Sequence, residues 1–339
     1  MVIKMNEYLN IFIDNDYPKF IDIYLTTKTL TRIKNVSQFC GCDYTNLYSP
    51  LYFYSRFDHS LVVAHMTWHF THDKKATIAA LLHDVGTPCF AHTIDYVFGD
   101  YLEQETSEKD IIELIKNDKE LISNLKEDNI SFEDLQDLTK YPILENKTPK
   151  LCTDRLDGVL HTCYIWLHTH SLEEIKEIYD NLIVLINEDN IPEIGFKDID
   201  ICEKFVNMVL TYAKELQGNT DKYVMKYISE IIKLAFERNL ITLEDLYQNK
   251  ENEVISILER NFDSWNNFKE ATELIRTDDE PYHFYASFET KKRNVIPLIS
   301  LNNQTERIIN ISDSAKNNYQ EFLKYKDTRY AYLKRIKNI

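Results

Sequence analysis

Apolar residues recur at intervals of three and four along most of this chain, the period that places a hydrophobic stripe on an α-helix. The pattern predicts helices over 59–71, 75–84, 91–103, 107–118, 155–169, 172–187, 200–217, 221–237 and 251–275. Turn formers separate them, Asp-Asn-Ile-Pro at 189–192 and Gln-Gly-Asn-Thr at 217–220. After Glu280-Pro281 the alternation shortens to two, so 282–289, 294–301 and 307–311 read as strands, and a last helix rich in Lys and Tyr is expected over 314–336. With six glycines and eight prolines in 339 residues, helix breakers are scarce. The expected fold is mainly α: a helical core with a helical extension over 1–275, and a small α+β region over 276–339. That region should pack on the core, because its inward faces need cover.

Composition narrows the possible work of the molecule. At 44% hydrophobic the chain can bury a sizeable core. Its formal charge of −16 opposes binding to a nucleic-acid polymer. A small phosphorylated substrate remains open, since a bound metal supplies the missing positive charge. The N-terminal stretch lacks the basic flank and long apolar core of a secretion signal, so Cys40, Cys42, Cys89, Cys152, Cys163 and Cys202 are read as reduced thiols of a cytoplasmic protein. Cys40-Gly41-Cys42 has no second pair at the spacing of a zinc site. No run approaches the roughly 20 apolar residues of a membrane span.

Candidate chemistry lies in His59, His83-Asp84 and Asp154. Two imidazoles and two carboxylates form a ligand set for one divalent ion. His83 and Asp84 close the apolar run 76–82 just before Gly86 and Pro88, so an ion near that helix end can reach both. Four protein ligands on an octahedral ion leave positions for water and a phosphate oxygen. The mixed donors suit Mn, Fe, Co, Ni or Zn, with Mg less natural beside two imidazoles.

Three segments carry a likeness to a known family: Arg56-Phe57-Asp58-His59-Ser60, His83 through His92, and Thr153-Asp154-Arg155-Leu156-Asp157. They resemble the metal-site motifs of the HD-domain phosphohydrolases, nearest to the deoxynucleoside-triphosphate triphosphohydrolase branch. Looser likenesses are Thr31 through Gln38 and the Lys291-Lys292-Arg293 segment. The resemblance implies an HD-domain helical core and a metal-dependent enzyme in which hydroxide activated on one ion attacks a nucleotide's phosphorus. It implies that Gln38 faces the substrate sugar, and that His92 and Asp95, one turn apart, lie near the attacked phosphate. Asp95 is the candidate for orienting or deprotonating the water, and His92 for stabilising phosphate charge or protonating the leaving oxygen. Arg56 is the candidate phosphate clamp and Arg155 a second cation.

The chain departs from that branch where Thr87 stands for a histidine, Gln104-Glu105 for His-Glu, and Gly158 and Thr162 for a tyrosine and an aspartate. The ligands are retained while acid catalysis and sugar recognition differ. Only His92 lies between Asp84 and Asp154, which argues against the dinuclear branches. A nucleoside 5′-monophosphatase or other small-ester hydrolase is the first alternative, and a nucleotide-sensing module, homo-oligomeric or not, the second. His65 and His69 read as helix-face histidines without the glutamate of a peptidase helix. At most one of His161, His168 and His170 could reach the metal pocket, and none is assigned to it. An ion pair of Arg56 with Asp58 or Asp157 is its structural alternative.

Overall fold

The structure, a computed structural model, describes residues 7–13, 16–104, 106, 111–302 and 304–334. It is about 53% helical, in keeping with the mainly α expectation. The helix Arg56–Thr71 is buried nearly all round, with Val62 and Met66 turned into one hydrophobic cluster and Val63 and Ala64 into another. An element apolar on every side belongs inside a core, and each such Val or Met contributes roughly 1.5–3 kcal/mol by burial. Ser55 and Asp58 form a capping box at its start, which accounts for Asp58. Asp73 then caps the Lys74–Leu82 helix through the amides of Lys75 and Ala76.

Several predicted elements have other bounds. The helix expected over 91–103 is the single turn Thr93–Val97, because Phe90 and Ala91 hold left-handed φ values of 63° and 47° just before it. Of 107–118, the structure has Ile111–Lys116, with 107–110 outside the described residues. The helix Thr153–His161 passes into a π turn over Thr162–Trp166. The prediction over 172–187 ends at Asn181, and Leu182–Ile186 is strand β1. A run of Leu, Ile and Val favours the pleated state once a partner is near, and Pro192–Phe196, β2, pairs with it antiparallel. The region 251–275 divides into helices Glu251–Asn261 and Asp263–Lys269, followed by β3, Ile275–Thr277.

Beyond 276 the strands are shorter than predicted: β4 is Tyr285–Ala286, β5 Leu298–Leu301 and β6 Gln304–Arg307. Ile308–Ile311 is helical rather than extended, and the last helix, Asp313–Lys324, stops well before 336. Tyr330–Tyr332 is β7, paired with both β3 and β4. The other sheet has the order β1-β2-β5-β6, with β2 and β5 parallel. It therefore joins a hairpin from the helical region to the C-terminal segment. Gly195 permits that junction, since a Cβ there would lie 2.9 Å from the Leu298 carbonyl oxygen.

This sheet props the loop that enters the Asp154 helix. The Leu151 amide donates to buried Glu193 of β2 over 3.1 Å, Arg307 donates to the same carboxylate over 2.6 Å, and the Ile296 amide reaches the Pro149 carbonyl at 2.8 Å. Among the described residues no helix is long and apolar enough to cross a membrane.

Candidate metal centre

Three chain segments meet at the start of the Arg56–Thr71 helix. His59 Nε2 lies 3.0 Å from Asp154 Oδ1, and His83 Nε2 lies 3.6 Å from the same oxygen. Asp84 Oδ2 stands 4.0 Å from His59 Nε2 and 3.8 Å from His83 Nε2. With metal–ligand bonds of roughly 2.1 Å, neighbouring ligands of an octahedral ion stand about 3.0 Å apart and opposite ones about 4.2 Å. The spacings bring His59, His83 and Asp154 together as a group that could hold an ion, while the fourth expected ligand, Asp84, stands at their edge with its Oδ2 engaged by Arg56.

The far side of each ring strengthens the fit. His59 Nδ1 is 2.6 Å from Asp157 Oδ2, and His83 Nδ1 is 2.6 Å from the Ala80 carbonyl oxygen. A carbonyl oxygen only accepts, and the Asp157 carboxylate is held well below its usual range despite its burial, by His161 and His59. Both rings therefore carry hydrogen on Nδ1 and turn Nε2 toward the carboxylates, the tautomer a metal needs. Burial lowers the pKa of His59, but Asp154 and Asp157 raise it to about 10. A proton occupies this polar nest when no cation does.

Asp157 was not singled out as a ligand-orienting group. It accepts from the Tyr8 hydroxyl at 2.6 Å and the Tyr54 hydroxyl at 3.0 Å, and meets His161 Nδ1 at 3.2 Å. Asp154, Asp157 and His161 lie three and four residues apart on one helix face, a spacing that could have identified both. His161 lines the cavity above the ligands, whereas no such place was assigned to it. The cluster His59, Asp157 and His161 has the composition of a second metal site, but the two oxygens of Asp157 already serve four partners.

The predicted substrate residues have different surroundings. Arg56 Nη1 donates to Asp84 Oδ2 at 2.9 Å, so its ion-pair partner is neither Asp58 nor Asp157. Despite burial, Arg56, His83 and His59 hold the Asp84 carboxyl well below the ordinary range. Thr87 Oγ1 reaches the other Asp84 oxygen at 3.3 Å. Arg32 fixes the turn that follows by donating to the Val85 and Thr87 carbonyls at 2.8 and 2.6 Å. Arg155 lines the cavity, but its guanidinium is spent on the Lys150 carbonyl at 2.9 Å, Glu145 at 3.2 Å, and Asn146. It holds the 145–150 loop rather than standing free as a phosphate ligand. Gln38 lines the cavity, and its Oε1 is buried without a hydrogen-bond partner among the described residues.

His92 also lines the cavity, its Nδ1 3.1 Å from Asp95 Oδ2. Burial lowers the pKa of His92 even though Asp95 raises it, so the ring is neutral near pH 7. Asp95 is fully buried and absent from the cavity lining, which corrects the direct contact with water expected of it. It reaches the cavity through His92. Gln104 accepts from Arg293 Nη2 at 2.8 Å, holding an arginine that sequence reading had not placed among the substrate groups.

The cavity measures about 530 Å³, the size of a small-molecule site. Arg56, Arg155, Lys291, Lys292 and Arg293 face it against Asp84, Asp154, Glu145 and Asp221. A divalent ion on the two ligand aspartates would leave the space net positive despite the −16 of the whole chain.

Behind His92, Glu251 clamps the strained turn at Phe90. It accepts from the Phe90 amide at 2.7 Å and pairs with the Tyr44 hydroxyl at 2.6 Å. Burial, and then Asp43, push its pKa up to about 8. The folded protein therefore holds a proton that the unfolded chain releases near pH 4.5. This stabilisation is complete below that pH and is lost as pH rises toward 8, at about 1.4 kcal/mol per pH unit. Glu251→Gln should remove this share, so unfolding free energies of wild type and variant should diverge across pH 5–8. Parallel curves would refute the assignment.

No family model matches the chain. It is similar to YdhJ of Bacillus subtilis (strain 168), an uncharacterized protein, with 27% identity over 272 residues, covering 77% of this chain and 79% of that one. Its fold is similar to the crystal structure of a hypothetical protein from Aquifex aeolicus, with a TM-score of 0.60 at 16% identity over 92% of this chain and 91% of the other.

Proposed function

We infer that the protein is a mononuclear-metal phosphohydrolase of the HD-domain kind, acting on a nucleotide-sized phosphate ester. The observation that carries this reading is the meeting of two imidazoles, each with Nδ1 against an oxygen acceptor, and two carboxylates in a cavity lined with cations. A divalent ion held by His59, His83, Asp84 and Asp154 would polarise a phosphate oxygen and acidify water. Arg56 keeps Asp84 ionised and retains a buried Nε–H that has no acceptor among the described residues. His92, neutral and oriented by Asp95, is the group able to give or accept a proton at Nε2. Arg293, fixed by Gln104, and Lys292 line the same cavity and supply attraction for phosphate.

The choice between triphosphohydrolase and monophosphatase turns on products. The protein loaded with Mn should be incubated with nucleoside mono-, di- and triphosphates and the products separated by chromatography. Nucleoside with tripolyphosphate is expected for the former, and nucleoside with orthophosphate from monophosphates alone for the latter. EDTA should stop either reaction. A metal-loaded protein that turns over none of these compounds would sink the enzyme reading in favour of a nucleotide-binding module.

A further inference from the structure

Gly158 lies four residues after Asp154 on the same helix, so it shares the ligand's face. A side chain here would project into the cavity that Gly158 lines. Among the described residues, apart from its chain neighbours and its own helix backbone, a Cβ built at this position meets the Tyr212 hydroxyl at 4.0 Å and nothing nearer. Tyr212 comes from a different helix, Ile199–Leu216, and lines the same cavity. Its ring is buried, yet its hydroxyl makes no hydrogen bond to the described residues. The same cavity is lined by His59, His83, Asp84 and Asp154, so the hydroxyl opens onto the space that the candidate ligands face. Burial raises its pKa, so the phenol keeps its proton and acts as a donor. Phe39 and Trp166 line the same cavity, with ring centroids 5.3 Å apart, and the Trp166 Nε1–H is buried without an acceptor among the described residues. Flat apolar faces with an unspent donor suit a heteroaromatic ring.

We propose that Tyr212 is a specificity-determining residue: its hydroxyl, standing in the gap left by Gly158, donates a hydrogen bond to the sugar of a nucleoside phosphate. The sugar is the part of such a molecule that adjoins a phosphate held at the metal ligands. This inference rests on the phosphohydrolase reading and narrows its substrate to compounds that carry a sugar next to the phosphate.

The test is calorimetric titration of the Mn-loaded protein with nucleoside 5′-mono- and triphosphates, and separately with inorganic phosphate and tripolyphosphate. Tyr212→Phe removes an unpartnered hydroxyl and should fold normally. It should raise the nucleotide Kd roughly 3- to 10-fold and change inorganic-ligand binding much less. Gly158→Ala should also weaken nucleotide binding by narrowing the gap, while raising Tm because a helical glycine is removed. Equal effects on nucleotide and inorganic ligands, or no effect on either, would overturn the proposal. Its failure is separable from that of the enzyme reading. Intact turnover with Tyr212→Phe silent defeats only this proposal; absent turnover with nucleotide binding sensitive to Tyr212→Phe defeats only the hydrolase.

Discussion

On the proposed phosphohydrolase reading, replacing Asp154 by alanine should abolish metal binding and lower turnover about 10³-fold or more. Asp154 Oδ1 stands closer than Asp84 to both Nε2 atoms, 3.0 Å from that of His59 and 3.6 Å from that of His83. Its carboxyl, partly exposed to the cavity, is held well below the normal range by those two histidines against the cost of desolvation, so it offers a full negative charge at neutral pH. Without it, His59, His83 and Asp84 remain, and Asp84 shares its charge with Arg56. A metal contributes several kcal/mol to charge stabilisation in a reaction of this class, and each 1.36 kcal/mol is a factor of ten. Metal content after dialysis gives the first readout. The second is thermal: an ion at 100 times its Kd stabilises the wild type by about 2.7 kcal/mol, and the variant should show no such shift. A variant that keeps both metal and turnover would remove Asp154 from the site.

The cluster of His59, His83 and Asp154 was legible because its chemistry is local. An unusual set of side chains sits at helix ends, where backbone geometry limits what they can reach. The groups that orient them were harder to see. Asp157 contacts His59 across 98 positions of sequence, and only its one-turn spacing from Asp154 hinted at a shared face. The support of Arg293 by Gln104 spans 189 positions and depends on a left-handed residue, φ 58°, that no periodicity reports. The same limit applies to the fold. Long amphipathic helices such as Ile199–Leu216 and Asn219–Glu237 lie close to the predicted bounds. The β1 segment carried the same apolar signal as a buried helix end, and only its pairing with β2 decides its state. Tertiary partners likewise settle Ile308–Ile311, where helix replaces the expected strand.

A second large effect is expected at Asp157, a residue that would touch neither metal nor substrate. Its carboxylate holds Tyr8, Tyr54, His59 and His161 together in the fully buried interior. Asp157→Ala leaves those donors facing a void, and breaking such a buried charged group costs roughly 3–5 kcal/mol. The folded pKa is depressed, so the stabilisation is present above the unfolded value near 3.9 and is lost as pH falls through the folded one. The penalty measured by urea unfolding of the metal-free protein should thus be full at pH 7 and shrink below about pH 4. Asp157→Asn preserves the shape but can present an amide N–H to His59 Nδ1, favouring the wrong tautomer. Metal affinity should then fall roughly 10- to 100-fold, although all four ligands remain. Unchanged Mn affinity in a folded Asp157→Asn protein would mean that the carboxylate serves stability alone, and that His59 selects its tautomer without it.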